Sequence, residues 1–274
     1  MTNAGLAEGG LDYLSCRYGT SRLVFRGPHR RPGGRYAVAV GSTETFGKFV
    51  ERPYPDLLEE HIGLPVINFG AVNAGIDVFA SEGGVLDACS GAQAVVLQAM
   101  GAHNLRNRFY CVHPRRNDRF LRASSELRAL YPDIDFTEFT FTRHLIQTLV
   151  EAGPDRFAPV LDELRAAWLS RMTVFLDNVA APVILLWIAP RLPDDPSALH
   201  HPSDPLFVTG AMIDAIRPRL AGVVVAPRQN SGRPGVAKGV ISTDLEAPAA
   251  AMVPDASVHE ATARAVAEGL RGLV

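Results

Sequence analysis

The chain has 274 residues, 47% of them hydrophobic and 20% charged, with a formal net charge of −2. That composition fits an ordinary globular protein with a substantial core, and the near-neutral balance argues against generic nucleic-acid binding. No apolar run approaches the roughly 20 residues needed to span a bilayer, and the N-terminus lacks the charged and apolar regions of a secretory signal. Cys16, Cys89 and Cys111 are odd in number and widely spaced, with no metal-type pair and no disulfide framework. The expected location is the cytoplasm.

Residues 1–34 read as an irregular lead-in, with Tyr13 to Phe25 apolar enough to pack on the domain as a short helix and an extended piece. Tyr36 to Val40 is a buried strand, stopped by Gly41 and followed by the polar turn Ser42-Thr43-Glu44-Thr45. Pro55 to Ile62 has helical spacing and ends at Gly63, and Leu64 to Phe69 is the second strand, opening into Gly70–Gly75. Ile76 to Ala88 reads as one helix, and Ala92 to Met100 as a third strand that opens into Gly101–Arg108. Residues 109–154 interrupt the alternation as an insertion or lid. They carry the basic segment HPRRNDRFLR and an aromatic stretch in which Phe136, Phe139 and Phe141 are expected to be partly buried, then a helix from Arg143 to Val150.

Asp155 to Val179 repeats apolar residues at the helical period. Pro182 to Ala189 and Ala221 to Ala226 are the fourth and fifth strands, with a Pro-rich loop and a Gly210–Leu220 helix between them. A last amphipathic helix, Ala261 to Leu273, is opened by His259. The order implies one domain over 1–274: an α/β protein built as a three-layer α/β/α sandwich, with a flavodoxin-like, mainly parallel five-stranded sheet and an insertion.

Ligands collect beyond the carboxyl ends of the strands in such sheets. There the turns 41–47, 70–75 and 101–108 gather, and Pro254–His259 precedes the last helix. A hydroxyl nucleophile, an imidazole base and donors to an oxyanion are the parts an acyl hydrolase or acyltransferase needs, and these segments hold candidates for each. Gly41-Ser42-Thr43, Asn68-Phe69-Gly70 with Gly75, Gly101-Ala102-His103-Asn104 and Asp255–His259 resemble, in order, the sequence blocks of the SGNH/GDSL hydrolase superfamily. The aspartate before the family's serine is absent, the serine itself aligns with Thr43, and His103 stands at the family asparagine. Asp255 and His259 are one residue farther apart than in the family's last block. The GSTETFG and HPRRNDRF segments together also resemble an uncharacterised bacterial family, which brings no activity with it.

The resemblance implies Ser42 or Thr43 as nucleophile, His259 as general base with Asp255 orienting it, and the Gly75 amide and Asn104 side chain as oxyanion donors. The reaction implied is hydrolysis or transfer of an O-linked ester on a carbohydrate or lipid-like small molecule, with no metal and no cofactor. Glu44, Asn107, Arg108, His113, Arg115 and Arg116 are the candidate substrate contacts. If the arginines fold over the active edge, the substrate carries an anionic group, and a transferase using coenzyme A or a sulfo or phospho donor is the alternative. A catalytically inactive binding protein is a third reading. His200 and His201, on the Pro-rich loop, are read as solvent-facing, and homo-oligomerisation is left open.

Overall fold

The computed structural model describes residues 10–195, 204–227 and 239–274. His200 and His201 lie outside the described residues. Five strands form one parallel sheet: β1 (Ala37–Gly41), β2 (Val66–Gly70), β3 (Ala94–Gln98), β6 (Val183–Ala189) and β7 (Gly222–Pro227). Their spatial order is β2-β1-β3-β6-β7. Between β3 and β6 the chain inserts an antiparallel hairpin, β4 (Tyr110–His113) and β5 (Arg116–Ala123).

The helices are α1 (Thr43–Phe46), α2 (Tyr54–Ile62), α3 (Asp77–Ala80), α4 (Gly83–Ser90), α5 (Ser125–Leu130) and α6 (Thr142–Glu151). They continue with α7 (Pro154–Asp177), α8 (Gly210–Ile216), α9 (Ala247–Ala250) and α10 (Ala256–Gly269).

Strand periodicity decides the layers. Val38, Val40, Val95, Leu97, Leu185 and Trp187 face one side and join a core that includes Phe79, Leu164 and Trp168. Their neighbours Ala37, Ala39, Ala94, Val96, Ile184 and Leu186 face the other side, against Tyr54 and Leu58 of α2 and Val258, Ala263 and Val266 of α10. The result is a three-layer α/β/α sandwich. The alanines on the second face let α2 and α10 approach the sheet closely.

Four sequence expectations change. The described part of the lead-in, residues 10–34, forms no helix: Cys16 and Phe25 make an antiparallel bridge, and Phe25 packs edge-on against Phe69. Arg26, buried, ties it down by donating to the Gly47 and Glu51 carbonyls. The single helix expected over 76–88 is two, because Glu82 is extended and Gly83-Gly84 carry low helix propensity. Phe136 and Phe139 are buried, whereas Phe141 is exposed and carries the Arg119 guanidinium over its ring.

The last helix starts five residues earlier than the sequence reading places it. Asp255 is its N-cap: Oδ1 accepts from the Val258 N–H at 3.1 Å, and from the Ser257 hydroxyl at 2.6 Å. His259 therefore belongs to the first turns of α10 and not to the loop ahead of it. No helix among the described residues is long and apolar enough to cross a membrane.

Candidate functional site

The turn after β1 is built by polar side chains from the strands on either side of it. Gln98, at the end of β3 and buried, accepts at Oε1 from the Ser42 N–H (2.9 Å), the Thr45 N–H (3.2 Å) and the Thr45 hydroxyl (2.7 Å). Its Nε2 donates to Glu44 Oε2 at 2.7 Å. From the other flank, Asn68 on β2 donates to the Thr45 carbonyl at 2.9 Å and accepts from the Gly70 N–H. Glycine is required at the crossing: a Cβ on Gly41 would lie 2.1 Å from Thr45 Oγ1, and one on Gly70 would lie 2.1 Å from the Phe46 amide nitrogen. Gln98 was not singled out from the sequence, and Asn68 only as part of a block, Asn68-Phe69-Gly70, without a role. The signal available was a lone amide in each of two otherwise apolar strands, AVVLQ and VINFG.

Ser42 and Thr43 are both half-buried, and Thr43 is the one that lines a cleft. Thr43, Glu44, Lys48, Asn73, Arg143 and Asp204 line a cleft of about 370 Å³, with Met252, Val253 and Pro254 as an apolar wall. Ser42 is not among the residues lining that cleft, and its side chain makes no capping bond to α1 although it holds the N-cap position. The cleft lies over the carboxyl ends of the strands, beside the β1/β3 boundary where the strand order reverses.

Thr43 Oγ1 accepts from the Asn73 N–H at 2.9 Å and lies 3.2 Å from Asn73 Oδ1, to which it donates. Asn73 is in the left-handed region, φ 57°, which aims its amide at the hydroxyl. Asn104 donates from Nδ2 to the Asn73 carbonyl at 3.0 Å and accepts from the Thr142 hydroxyl. The turns after β1, β2 and β3 therefore meet in one network.

Gly75 is placed differently from the expectation. Its N–H donates to Asn117 Oδ1 at 3.3 Å, so the donor near the hydroxyl is Asn73 and not Gly75. Gly75 is glycine for packing: a Cβ there would lie 2.1 Å from the Asn104 carbonyl oxygen.

His259 does not join this network. It is 2% exposed, stacks on the Tyr54 ring with an interplanar angle of 14°, and its Nδ1 accepts from the Tyr54 N–H at 3.0 Å. A main-chain N–H can only donate, so Nδ1 holds the lone pair and the proton of the neutral ring sits on Nε2, which is buried without a partner. That is the opposite tautomer from the one a base oriented by a carboxylate needs. Burial pushes its pKa down to about 3; nearby Arg26 lowers it further and Asp255 opposes the shift. Asp255 is committed to capping α10. The cause of both corrections is the early helix start, which turns position 259 toward α2.

The arginine segment is also placed away from the cleft. Arg115 and Arg116 are exposed at the hairpin turn, and His113 Nδ1 accepts from the Arg115 N–H. Arg108 lies over the Phe109 ring, and its N–H donates to Glu163. Asn107 caps its own turn, accepting from the Phe109 and Tyr110 amides. Of the expected substrate contacts, Glu44 lines the cleft; the cations that do so are Lys48 and Arg143, neither singled out beforehand. The hairpin still approaches the site through β5, where Asp118 accepts from Asn73 Nδ2 at 3.3 Å.

Three solved structures illustrate what the chain resembles. A carbohydrate esterase family 2 enzyme with a carbohydrate-binding domain, from Corynascus thermopiles (Myceliophthora fergusii), matches at 12% identity and a TM-score of 0.46, over 90% of this chain and 69% of that one. A family two carbohydrate esterase from Clostridium thermocellum matches at 10% identity and 0.45, over 92% and 69%. The M. smegmatis aryl esterase matches at 11% identity and 0.44, over 88% and 100%. Likeness at this level carries no argument about activity. No curated protein matches the chain. The family model described as "Domain of unknown function (DUF6473)" matches residues 1–274, and the chain belongs to that family.

Proposed function

We propose that the cleft is a hydrolase-type site for a small, oxygen-rich ester and that the reacting hydroxyl is that of Thr43. The observation that carries the reading is the 2.9 Å bond from the Asn73 N–H to Thr43 Oγ1 at the cleft floor. A hydroxyl fixed by a main-chain donor, at the carboxyl edge of a parallel sheet and beside a second amide side chain, is an arrangement suited to acyl transfer. The apolar wall of Met252, Val253 and Pro254 suits the acyl portion, and Lys48 and Arg143 suit an oxygen-bearing or acidic portion. Transfer from an anionic donor held by Arg115 and Arg116 loses its support, since neither lines the cleft.

The test is labelling of the whole chain with a fluorophosphonate probe and mapping of the modified peptide by mass spectrometry. The reading expects adduct on Thr43, loss of adduct in Thr43→Ala and its retention in Ser42→Ala. A second reading, a binding protein without turnover, is favoured by the tautomer of His259, which removes that ring as a base. Wild-type chain that takes no label while a ligand raises its melting temperature would establish the second reading over the first.

A further inference from the structure

Beside the Thr43 cleft is a second cavity, of about 400 Å³, containing a histidine that the reading above leaves unused. His103 follows β3, its ring is 2% exposed, and its Nδ1 is buried with no hydrogen-bond partner. That nitrogen faces Asp204, 3.8 Å from Oδ1. Asp204 is held from the far side by Arg143, whose Nη2 lies 2.6 Å from Oδ2. The pair has a glycine cradle: a Cβ on Gly101 would come within 2.7 Å of both Asp204 Oδ1 and His103 Nδ1. A side chain at 101 would require the carboxylate or the imidazole to shift.

The cavity is continuous in its lining with the cleft, for Asn73, Arg143 and Asp204 border both. Asn73, whose amide holds the Thr43 hydroxyl, lines this cavity together with His103. A proton on Nδ1 would face the Asp204 carboxylate and leave the lone pair on Nε2, the tautomer a proton acceptor requires.

We propose that His103, oriented by Asp204, is the proton acceptor of this site. The inference rests on the Thr43 reading. Thr43 Oγ1 bonds to the acyl carbon of the ester while its proton passes through one water to His103 Nε2. The ester C–O bond then breaks, and the leaving alkoxide takes that proton from His103. A water attacks the acyl-Thr43 in the same way, giving up a proton to His103 and releasing the acid as Thr43 recovers its own. Asp204, Arg143, Asp118 and His144 are the charged or titratable groups that share the cavity with His103. Burial lowers its pKa to about 4; Asp204 opposes that shift and Arg143 adds to it, so the resting ring is neutral at physiological pH.

The experiment is the rate of fluorophosphonate labelling of the whole chain as a function of pH. Wild type should label at a constant rate above about pH 5 and lose labelling with a midpoint near 4. His103→Gln should slow labelling by about 10²-fold or more while keeping its melting transition. Asp204→Asn removes the charge that raises the ring's pKa, so its midpoint should move to lower pH by about one pH unit. If His103→Gln fails to fold, the Asp204→Asn midpoint decides. Wild-type rates in His103→Gln, or an unmoved midpoint in Asp204→Asn, would overturn the role of His103 and leave Thr43 in place. A wild-type chain that takes no label overturns both.

Discussion

Two buried histidines, one following β3 and one in α10, differ in what their Nδ1 atoms meet. His103 turns Nδ1 to a carboxylate and lines a cavity; His259 turns Nδ1 to a main-chain N–H and is packed between helices. The two rings are equally buried, at 2% exposure, and both are held neutral by that burial. Burial and depressed pKa therefore do not separate a structural histidine from a reactive one in this fold. What Nδ1 faces separates them: a main-chain N–H fixes the lone pair of His259 there, whereas a carboxylate faces that atom in His103.

The largest effect that could sharpen this contrast is on stability. His259→Ala removes a packed ring and leaves the Tyr54 N–H without an acceptor, which should cost about 3 kcal/mol in urea unfolding. Its folded fraction should still label with a fluorophosphonate at the wild-type rate. A stable His259→Ala chain with labelling lost would reverse the assignment of the two histidines.

Gln98→Leu is next. It strands the Ser42 and Thr45 amides and leaves the Thr45 hydroxyl only the Tyr54 hydroxyl, and should cost about 2–3 kcal/mol. Because the same bonds hold the turn that carries Thr43, labelling should fall in step with stability. Intact stability would show that the turn is held by α1 alone.

The acid limb tests the two rings together. Both have folded pKa values depressed from 6.5, to about 4 for His103 and about 3 for His259. The unfolded chain takes up those protons first, so the stability these neutral rings confer is complete above pH 6.5 and is lost as pH falls toward 4 and then 3. In His259→Gln the loss between pH 6.5 and 4 should be smaller than in wild type, measured by chemical unfolding at each pH. An unchanged slope would mean that His259 is reached by solvent and protonates without penalty.

The smallest expected effect is at the hairpin turn. Arg115→Ala and Arg116→Ala remove exposed charges outside the cleft, and each should change stability by no more than about 0.5 kcal/mol and leave labelling unchanged. A loss of labelling would bring the arginine segment back to the site.

The strands were legible because each is a short apolar run rich in β-branched residues and ended by Gly or a polar turn, and five such runs separated by helices leave little choice but a parallel sheet. The turns at their carboxyl ends followed from the same order, while Thr43, as the alternative to Ser42, and Asn104 came from the family resemblance. What the sequence could not determine is which atoms each polar group would meet. The motif-like spacing of Asp255 and His259 does not distinguish a loop from a helix start; the Asp255 cap decides it, and the added turn rotates the ring into the face that α10 buries on α2. Gln98 reaches the Ser42 turn from a neighbouring strand, 56 residues away in sequence. His103 and Asp204 are brought together across the insertion and α7, where the missing side chain of Gly101 leaves them room. Hydrophobic periodicity reports local geometry and burial. Proton placement is set by contacts between distant segments, and those exist only once the sheet has assembled.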